Sequence, residues 1–482
     1  MQQTPKRSPE YRYNEISFFL NGRKQIVRLS PGISTLDFLN KKLQMYGTKC
    51  SCNEGDCGAC TVVISYPRDG GIVYEAINSC LYPAAKLHGK HLITVEGLGS
   101  PEDLHPIQRA LLEHHGTQCG YCTPGFVMSL FALLASIPHP DTESIMAALE
   151  GNLCRCTGYQ SILNAALELS KNFDPAGIVP AWCRKIESQL FTFKDVAQTV
   201  STTSDTLYFI EQYMKPENCQ QLALLLDKHP EAVIIAGGTD IMVMVNIARR
   251  KFELLIDLSE ISELKNIQVK NDGIHIGAAV TYSRIMDSGI IKSDLPELVR
   301  LCRLIASKQI RNFGTLAGNI ANASPIGDSL PLLLVYDARL RLESLGATRE
   351  IPLREFFLDY RKTALQKGEY IREIIIPIPP REAFIRSLKT AKRKSVDISS
   401  VASAIRIQGE SVILALGGVA ATPVISSVFS SSVPLMDGKA WQAVAQAVAE
   451  EFSPLSDVRG SADYRRKMII NHILQYAEEY HG

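Results

Sequence analysis

The sequence predicts a multidomain α+β protein, and three observations carry that reading. The chain has 482 residues, 46% hydrophobic and 21% charged, enough for roughly three or four domains of ordinary size. Its cysteines are lopsided, nine of the twelve lying before residue 157. The hydrophobic pattern also changes along the chain, from alternating, to helical, to mixed.

The first segment alternates. "EISFFL" and "QIVRL" are joined by "NGRK", and Asn21-Gly22 is a strong two-residue hairpin signal because both positions tolerate positive φ. "SPGISTLDFLNKKLQMYG" follows as an expected helix, with Ser34 and Asp37 as a capping box and Gly47 as its stop. "ACTVVISY" reads as a further strand. Two strands, a helix, a cysteine loop and another strand resemble the β-grasp of plant ferredoxins.

The cysteine loop is "CSCNEGDCGACTVV", Cys50 to Val63. Cys52, Cys57 and Cys60 read C-x4-C-x2-C, with Cys80 next, the plant-type spacing for a 2Fe-2S cluster. A structural zinc site more often shows two matched C-x2-C pairs. A disulfide framework needs an oxidising compartment and usually a shorter chain. Cys50 is the odd one out, a buried or free thiol.

From about residue 100 the texture is helical. "PIQRALLEHHG" places Ile107, Ala110 and Leu111 on one face and ends at Gly116. The next helix has Thr123 as expected N-cap and Pro124 at its first position. "DTESIMAALEG" starts a third at Asp141, and "SILNAALELS" is a fourth. Cys119 and Cys122, then Cys154 and Cys156, mark two junctions between helices. Antiparallel pairing brings four thiolates to one end of such a bundle, where helix N-termini are expected to favour the thiolate form. This predicts a second cluster; a zinc knot or two unrelated buried pairs are the alternatives.

Residues 173–207 read as a linker, with breakers in "KNFDPAGIVPAW" and a polar Ser/Thr-rich run in "TFKDVAQTVSTTSD". Beyond it the pattern is mixed α/β. "ENCQQLALLLDKHP" is an amphipathic helix, "ELLIDLS" and "GIHIGAAV" are strands, and "LPELVRLCRLIAS" is a helix. A sheet is expected in "AFIRSLKT" to "SVILALGGVA", followed by helices in "AWQAVAQAVAEEF" and "DYRRKMIINHILQYAEEY".

There is no G-x-G-x-x-G and no Walker A loop. Two small-residue loops stand instead. In "IIAGGTD", Gly237 and Gly238 let backbone N–H groups approach an anion. In "FGTLAGNIANASPIGD", Gly314, Gly318, Asn319 and Asp328 offer close backbone approach, donors and an acceptor. Each alone is a weak signal, since a pair of glycines after a strand is more often just a tight turn. A one-electron cluster chain ordinarily delivers to a group that pools two electrons, and a flavin does so.

The net charge of +1 offers no bulk electrostatic attraction to nucleic acid or membrane. "MQQTPKRSPE" lacks the apolar run of a signal peptide, and no stretch approaches the roughly twenty apolar residues of a membrane span. The expectation is a reduced, cytoplasmic protein with a metal-rich front end.

The motifs "CNEGDCGACTV", "TQCGYCTPGFVMS", "GNLCRCTGYQ", "AGGTD" and "GNIANASPIGD", in that order, carry a family resemblance. The chain resembles the small iron–sulfur/FAD subunits of bacterial xanthine dehydrogenases, in the molybdenum hydroxylase family, from about residue 12 to its end. The resemblance implies a ferredoxin-like domain (1–95), an all-helical four-helix cluster domain (96–175), a linker (176–207), an α+β FAD-binding domain (208–380) and a flavoprotein C-terminal domain (381–482). It places one 2Fe-2S cluster on Cys52, Cys57, Cys60 and Cys80, and the other on Cys119, Cys122, Cys154 and Cys156. It implies that Gln118 faces a molybdenum cofactor held by a large molybdopterin-binding subunit in a two-plus-two heterotetramer. FAD contacts carry over to Ile234, Ile235, Ala236, Gly237, Gly238, Thr239, Asp240, Ile241, Ile305, Thr315, Asn319, Asp328, Ile371 and Lys389. Tyr360 matches a position near the nicotinamide side, with NAD as co-substrate and no catalytic residue for purine chemistry in this chain.

Three departures stand out. Ser51 replaces the usual Gly before the first ligand, Ile305 replaces the aromatic of animal relatives, and "AKRKSVD" is more basic than theirs. The rival readings are an equivalent subunit of an aldehyde or nicotinate hydroxylase and, more distantly, a zinc-stabilised binding module.

Overall fold

The computed structural model describes residues 15–171, 175–193, 200–201, 209–430 and 438–481. They divide into two compact units, one drawn from Met1–Glu217, Ala232–Glu260 and Ser307–Phe313, the other from Asn218–Glu231, Ile261–Ala306 and Gly314–Gly482. Each unit is thus assembled from separated stretches.

The first unit opens with the expected hairpin, β1 (Glu15–Leu20) against β2 (Arg23–Arg28). Asn21 and Gly22 turn it at φ 46° and 83°, the positive values a two-residue loop requires. With β3 (Thr61–Arg68), β4 (Gly71–Asn78) and β5 (His91–Ile93), they form a sheet of order β2-β1-β5-β3-β4. The pairing of β1 with β5 is parallel and the others are antiparallel. Ser34 accepts the Asp37 N–H at 3.1 Å, as the capping pattern predicts. The helix is shorter than expected, however. After Thr35–Asp37 it widens into a π-turn over Phe38–Lys42, and Gln44 at φ 56° lies beyond its end, before Gly47 is reached.

Four helices follow, Pro106–Glu113, Thr123–Ser136, Thr142–Leu149 and Gln160–Lys171. The second starts one residue earlier than the sequence suggests, with Cys122 as N-cap and Thr123 as its first residue. Its stretch from Gly125 to Leu134 is buried all round, packing with Ile107, Ile145, Ile162 and Ala165. The third is capped by Asp141, which accepts the Ser144 N–H at 2.8 Å.

The expected linker contains a helix, Ala181–Phe191, that buries Cys183, Ile186 and Leu190. The breakers flank this helix and do not interrupt it, since Pro180 is its N-cap and proline is tolerated there. Residues 173–174, 194–199 and 202–207 of that stretch lie outside the described residues.

A second sheet in this unit has order β6-β7-β9-β8, from Val200–Ser201, Ile210–Met214, Phe252–Asp257 and Val233–Ile235 respectively. Both β7 and β8 run parallel to β9. Tyr213, Leu255, Met242 and Phe313 share one core with Phe18, Phe38, Val62 and Leu92. That shared core is why stretches distant in sequence belong to the ferredoxin-like unit.

The second unit is built on a five-stranded antiparallel sheet of order β10-β11-β16-β12-β13, from Ile267–Lys270, Gly273–Gly277, Tyr370–Ile376, Arg339–Ser344 and Ala347–Pro352. Helices Pro296–Arg303, Leu316–Asn322 and Ser329–Val335 contribute Leu298, Leu316 and Leu333 to its core with Ile274 and Ile374. A short hairpin pairs β14 (Phe357–Asp359) with β15 (Lys362–Thr363). The C-terminal part is a sheet of order β17-β18-β19-β20, from Phe384–Thr390, Val401–Gln408, Ser411–Gly417 and Val424–Ile425. Helices Gly438–Glu451 and Ala462–His481 pack Trp441 and Tyr476 against it, as the apolar spacing predicts. Among the described residues no helix is long and apolar enough to cross a membrane.

Candidate cluster ligands and flavin loops

The first cysteine loop is shaped by residues that tolerate left-handed backbone. Asn53, Gly55 and Gly58 have φ of 61°, 92° and 66°, which wraps the segment between Cys52 and Cys60 tightly. Cys60 begins the approach to β3, and Cys80 leaves β4. Their sulfurs are 3.3 Å apart, while the thiols of Cys52 and Cys57 hydrogen-bond each other. In the second set, Cys156 and Cys119 sulfurs are 3.6 Å apart, and Cys122 pairs with Cys154.

All eight expected ligands are therefore brought together in two sets of two pairs. A closed four-ligand tetrahedron is what a structural zinc requires, whereas a 2Fe-2S centre takes two thiolates on each of its irons. The donor sets fit two such clusters.

Charge is distributed within the pairs. The hydrogen bond from Cys57 pulls the Cys52 thiol down to about 5, helped by the backbone N–H groups of Glu54, Asp56 and Cys57, and the same bond pushes Cys57 up. Likewise, Cys60 is lowered by its bond with Cys80, which is raised. Burial would raise Cys154, yet hydrogen bonds from Thr157 and the Cys156 N–H bring it below the usual thiol value. The expectation that helix N-termini favour thiolates is not met at Cys122. It caps a helix, but burial and its bond with Cys154 push it up to about 12, because desolvation disfavours a charged thiolate.

Exposure separates the sets. Cys60 and Cys80 are buried, whereas Cys119, Cys156 and the neighbouring Gln118 and Tyr121 are exposed. Cys50 is exposed, not buried, and the Tyr121 hydroxyl donates to its carbonyl.

A polar brace that sequence reasoning missed supports the cysteine loops. Asn152, 3% exposed, donates to the Gly58 carbonyl at 3.1 Å and accepts from Ser129 at 2.8 Å and Gln309 at 2.9 Å. Arg311 pairs with Glu150 at 2.7 Å, and Asn312 donates to the Ala76 carbonyl at 2.7 Å. The sequence hint is the largely polar run Ser307 to Asn312, "SKQIRN", ahead of Gly314. On the helix Ile241–Asn246, Asn246 donates to the carbonyls of Asn53 at 3.1 Å and Cys80 at 2.9 Å.

The residues that the resemblance assigns to FAD fall in both units. In the first unit, Ile234 and Ile235 end β8, and the loop Ala236 to Asp240 leads into the helix beginning at Ile241. Gly238 has φ 96°; a Cβ there would lie 3.1 Å from Ile235 Cδ1. The positive φ falls on Gly238, not Gly237. Both glycines are buried, and their N–H groups have no acceptor among the described residues. Buried N–H groups demand one, and the anionic pyrophosphate of FAD would supply it.

In the second unit, Thr315 caps the helix Leu316–Asn322, accepting the Gly318 N–H at 3.0 Å. Asn319 accepts from Ser329 at 2.7 Å. Asp328 and Lys389 form an ion pair at 2.7 Å, and Lys389 also donates to the Leu304 carbonyl at 2.9 Å. Ile371 is in the core and Ile305 packs against it, so Ile371 can offer a ligand only its backbone. Tyr360 sits in the β14–β15 turn, 57% exposed, with the Arg361 guanidinium 5.9 Å from its ring.

Four family models match in succession. They are a 2Fe-2S iron-sulfur cluster binding domain over 18–84, a [2Fe-2S] binding domain over 94–167, the FAD binding domain in molybdopterin dehydrogenase over 208–379, and the CO dehydrogenase flavoprotein C-terminal domain over 386–480. The chain belongs to the molybdenum hydroxylase family. This molybdenum hydroxylase chain is 32% identical to xanthine dehydrogenase/oxidase of Mus musculus over 519 residues, covering 96% of the chain and 39% of that protein. It is 30% identical to xanthine dehydrogenase 1 of Arabidopsis thaliana over 457 residues, covering 82% of the chain and 33% of that protein. The chain thus spans well under half the length of these relatives. Among solved structures, a Cu,Mo-CO dehydrogenase chain matches with TM-score 0.51 and 29% identity, over 55% of this chain and 96% of that one. A chain of quinoline 2-oxidoreductase from Pseudomonas putida 86 matches with TM-score 0.52 and 26% identity, over 55% and 95%.

Proposed function

We propose that this molybdenum hydroxylase chain is the electron-transfer subunit of a xanthine dehydrogenase. It receives electrons from a molybdenum site on a partner large subunit that oxidises hypoxanthine and xanthine to urate, and it delivers them to NAD. When bound, the two clusters supply single-electron relay and FAD supplies two-electron pooling before hydride leaves. Cys52, Cys57, Cys60 and Cys80 hold one cluster, Cys119, Cys122, Cys154 and Cys156 the other, and the Gly237–Gly238 loop takes the flavin pyrophosphate.

The observation that carries this reading is the fusion of cluster and flavin segments in one chain. The xanthine dehydrogenases align across nearly all of it, whereas the carbon monoxide and quinoline enzyme chains are almost wholly covered by 55% of it. The exposed face around Gln118, Cys119 and Cys156 supports docking of the large subunit there. The exposed ring of Tyr360 and the loop from Lys389 to Asp397 support a place for the nicotinamide.

Anaerobic titration of the purified chain with NADH tests the acceptor. The flavin absorbance should bleach without any purine. No bleaching would point to oxygen or a protein as acceptor instead.

A further inference from the structure

The flavin loop is held from behind by a lysine that lies far from it in sequence. Lys86 belongs to the turn Ala84–Leu87, shortly after the cluster ligand Cys80, and is 2% exposed. Its ammonium donates to the carbonyls of Ala236 and of Gly237, the latter at 3.3 Å. It also lies 3.7 Å from Asp257 Oδ1. The buried Asp257 carboxylate in turn accepts the Tyr213 hydroxyl at 2.7 Å, and Lys90 donates to the Lys86 carbonyl at 2.9 Å.

Burying an ammonium is costly unless it is paired and hydrogen-bonded. Here the donors are spent on two successive peptide carbonyls. In a trans peptide the C=O and the following N–H point in opposite directions, and the described residues contain no cis bond. Drawing the Ala236 and Gly237 carbonyls onto Lys86 therefore turns the Gly237 and Gly238 N–H groups to the opposite side. Those are the two buried N–H groups with no acceptor among the described residues.

We propose that Lys86 is a positioning residue for FAD, fixing the peptide planes of the glycine loop so that both N–H groups meet the pyrophosphate. This rests on the reading of that loop as the flavin site. Flavin affinity is then set in part by the ferredoxin-like segment. The main chain of that segment also comes close to the loop: the Leu81 carbonyl lies 3.7 Å from where a Gly238 Cβ would stand.

The competing account is that Lys86 only neutralises Asp257. Deflavinated full-length chain is titrated with FAD, and both cluster signals are followed by electron paramagnetic resonance. Lys86→Met should weaken FAD binding by about tenfold to a hundredfold, the size expected for losing charge-assisted hydrogen bonds, with both cluster signals retained. The double variant Lys86→Met/Asp257→Asn removes both charges of that ion pair and should show the same loss. It also carries the test where the single variant does not fold. Wild-type affinity in either variant would overturn the proposal. Gly238→Val is the parallel control. If it binds FAD normally, the loop is not the flavin site; if it loses FAD while Lys86→Met does not, only the role of Lys86 is wrong.

Discussion

The N–H of Leu153 donates to the carbonyl of Cys57 at 2.9 Å, so a proposed ligand of one cysteine set is hydrogen-bonded to the residue preceding Cys154, a proposed ligand of the other. The approach is close because three glycines meet there. A Cβ on Gly125 would lie 2.3 Å from the Gly58 carbonyl, and one on Gly58 would lie 2.3 Å from the Gly151 carbonyl. Backbone atoms at that distance cannot yield as a flexible side chain can. We expect Gly125→Ala to destabilise the first unit by about 1–3 kcal/mol, the usual cost of overpacking. It should perturb both paramagnetic signals together, since the two loops share the contact. A shift confined to one signal would show that the loops move independently.

The ligand pairs predict metal content. Two 2Fe-2S clusters imply about four irons per chain. Cys57→Ser and Cys154→Ser should each halve the iron and abolish a different paramagnetic signal. Tightly bound zinc in place of iron would overturn the assignment.

Two buried histidines predict an acid limit to stability. His91 accepts the Gly22 N–H at 3.1 Å, and burial lowers it from 6.5 to about 4. In the other unit, His472 contacts Thr390 at 2.7 Å and Ser403 at 2.8 Å, and burial likewise lowers it to about 4. Unfolding restores the ordinary value, so below 6.5 the unfolded chain binds more protons. The stability these sites contribute is full above about 6.5 and declines as pH falls toward 4, by up to roughly 3 kcal/mol each. Urea midpoints at pH 7 and pH 5 measure this. A midpoint independent of pH across that window would contradict it.

The C-x4-C-x2-C run and the hairpin were legible in the sequence because both are local. Ligand spacing is imposed by the cluster, and Asn21-Gly22 declares its own turn. The glycine loop was legible as a position, but not the residue that orients it, because Lys86 and Ala236 meet only through the fold. The same holds for β7, β8 and β9 and for Ser307–Phe313. Parallel pairing and a buried polar brace leave no periodic signature, so nothing in the sequence tied Gln309 to Asn152. The helix Ala181–Phe191 was hidden by the prolines and glycine ahead of it, although Cys183, Ile186 and Leu190 already had helical spacing.

The flavin loop predicts a clean separation of cofactors. Gly238 stands at φ 96° with Ile235 against it, so Gly238→Val combines backbone strain with a clash. It should lose FAD, judged by absorbance and by flavin released on heating, while keeping both clusters. Retained flavin at wild-type stoichiometry would move the pyrophosphate elsewhere.

The last prediction concerns dependence on a partner. The second cysteine set has two members, Cys119 and Cys156, at the surface, beside exposed Gln118, Tyr121 and Tyr159. An exposed ligand pair flanked by aromatic rings suits an interface whose core is enriched in such residues. A stable subunit contact there would bury more than roughly 2,000 Å². Alone, the chain should reduce dyes with NADH but not with xanthine. Adding the molybdopterin-binding subunit should restore xanthine-driven reduction. Gln118→Ala should slow that reaction more than NADH oxidation, because it alters the docking face and leaves the flavin loop untouched. If the purified single chain, free of molybdenum, oxidised xanthine by itself, this division of labour would be wrong.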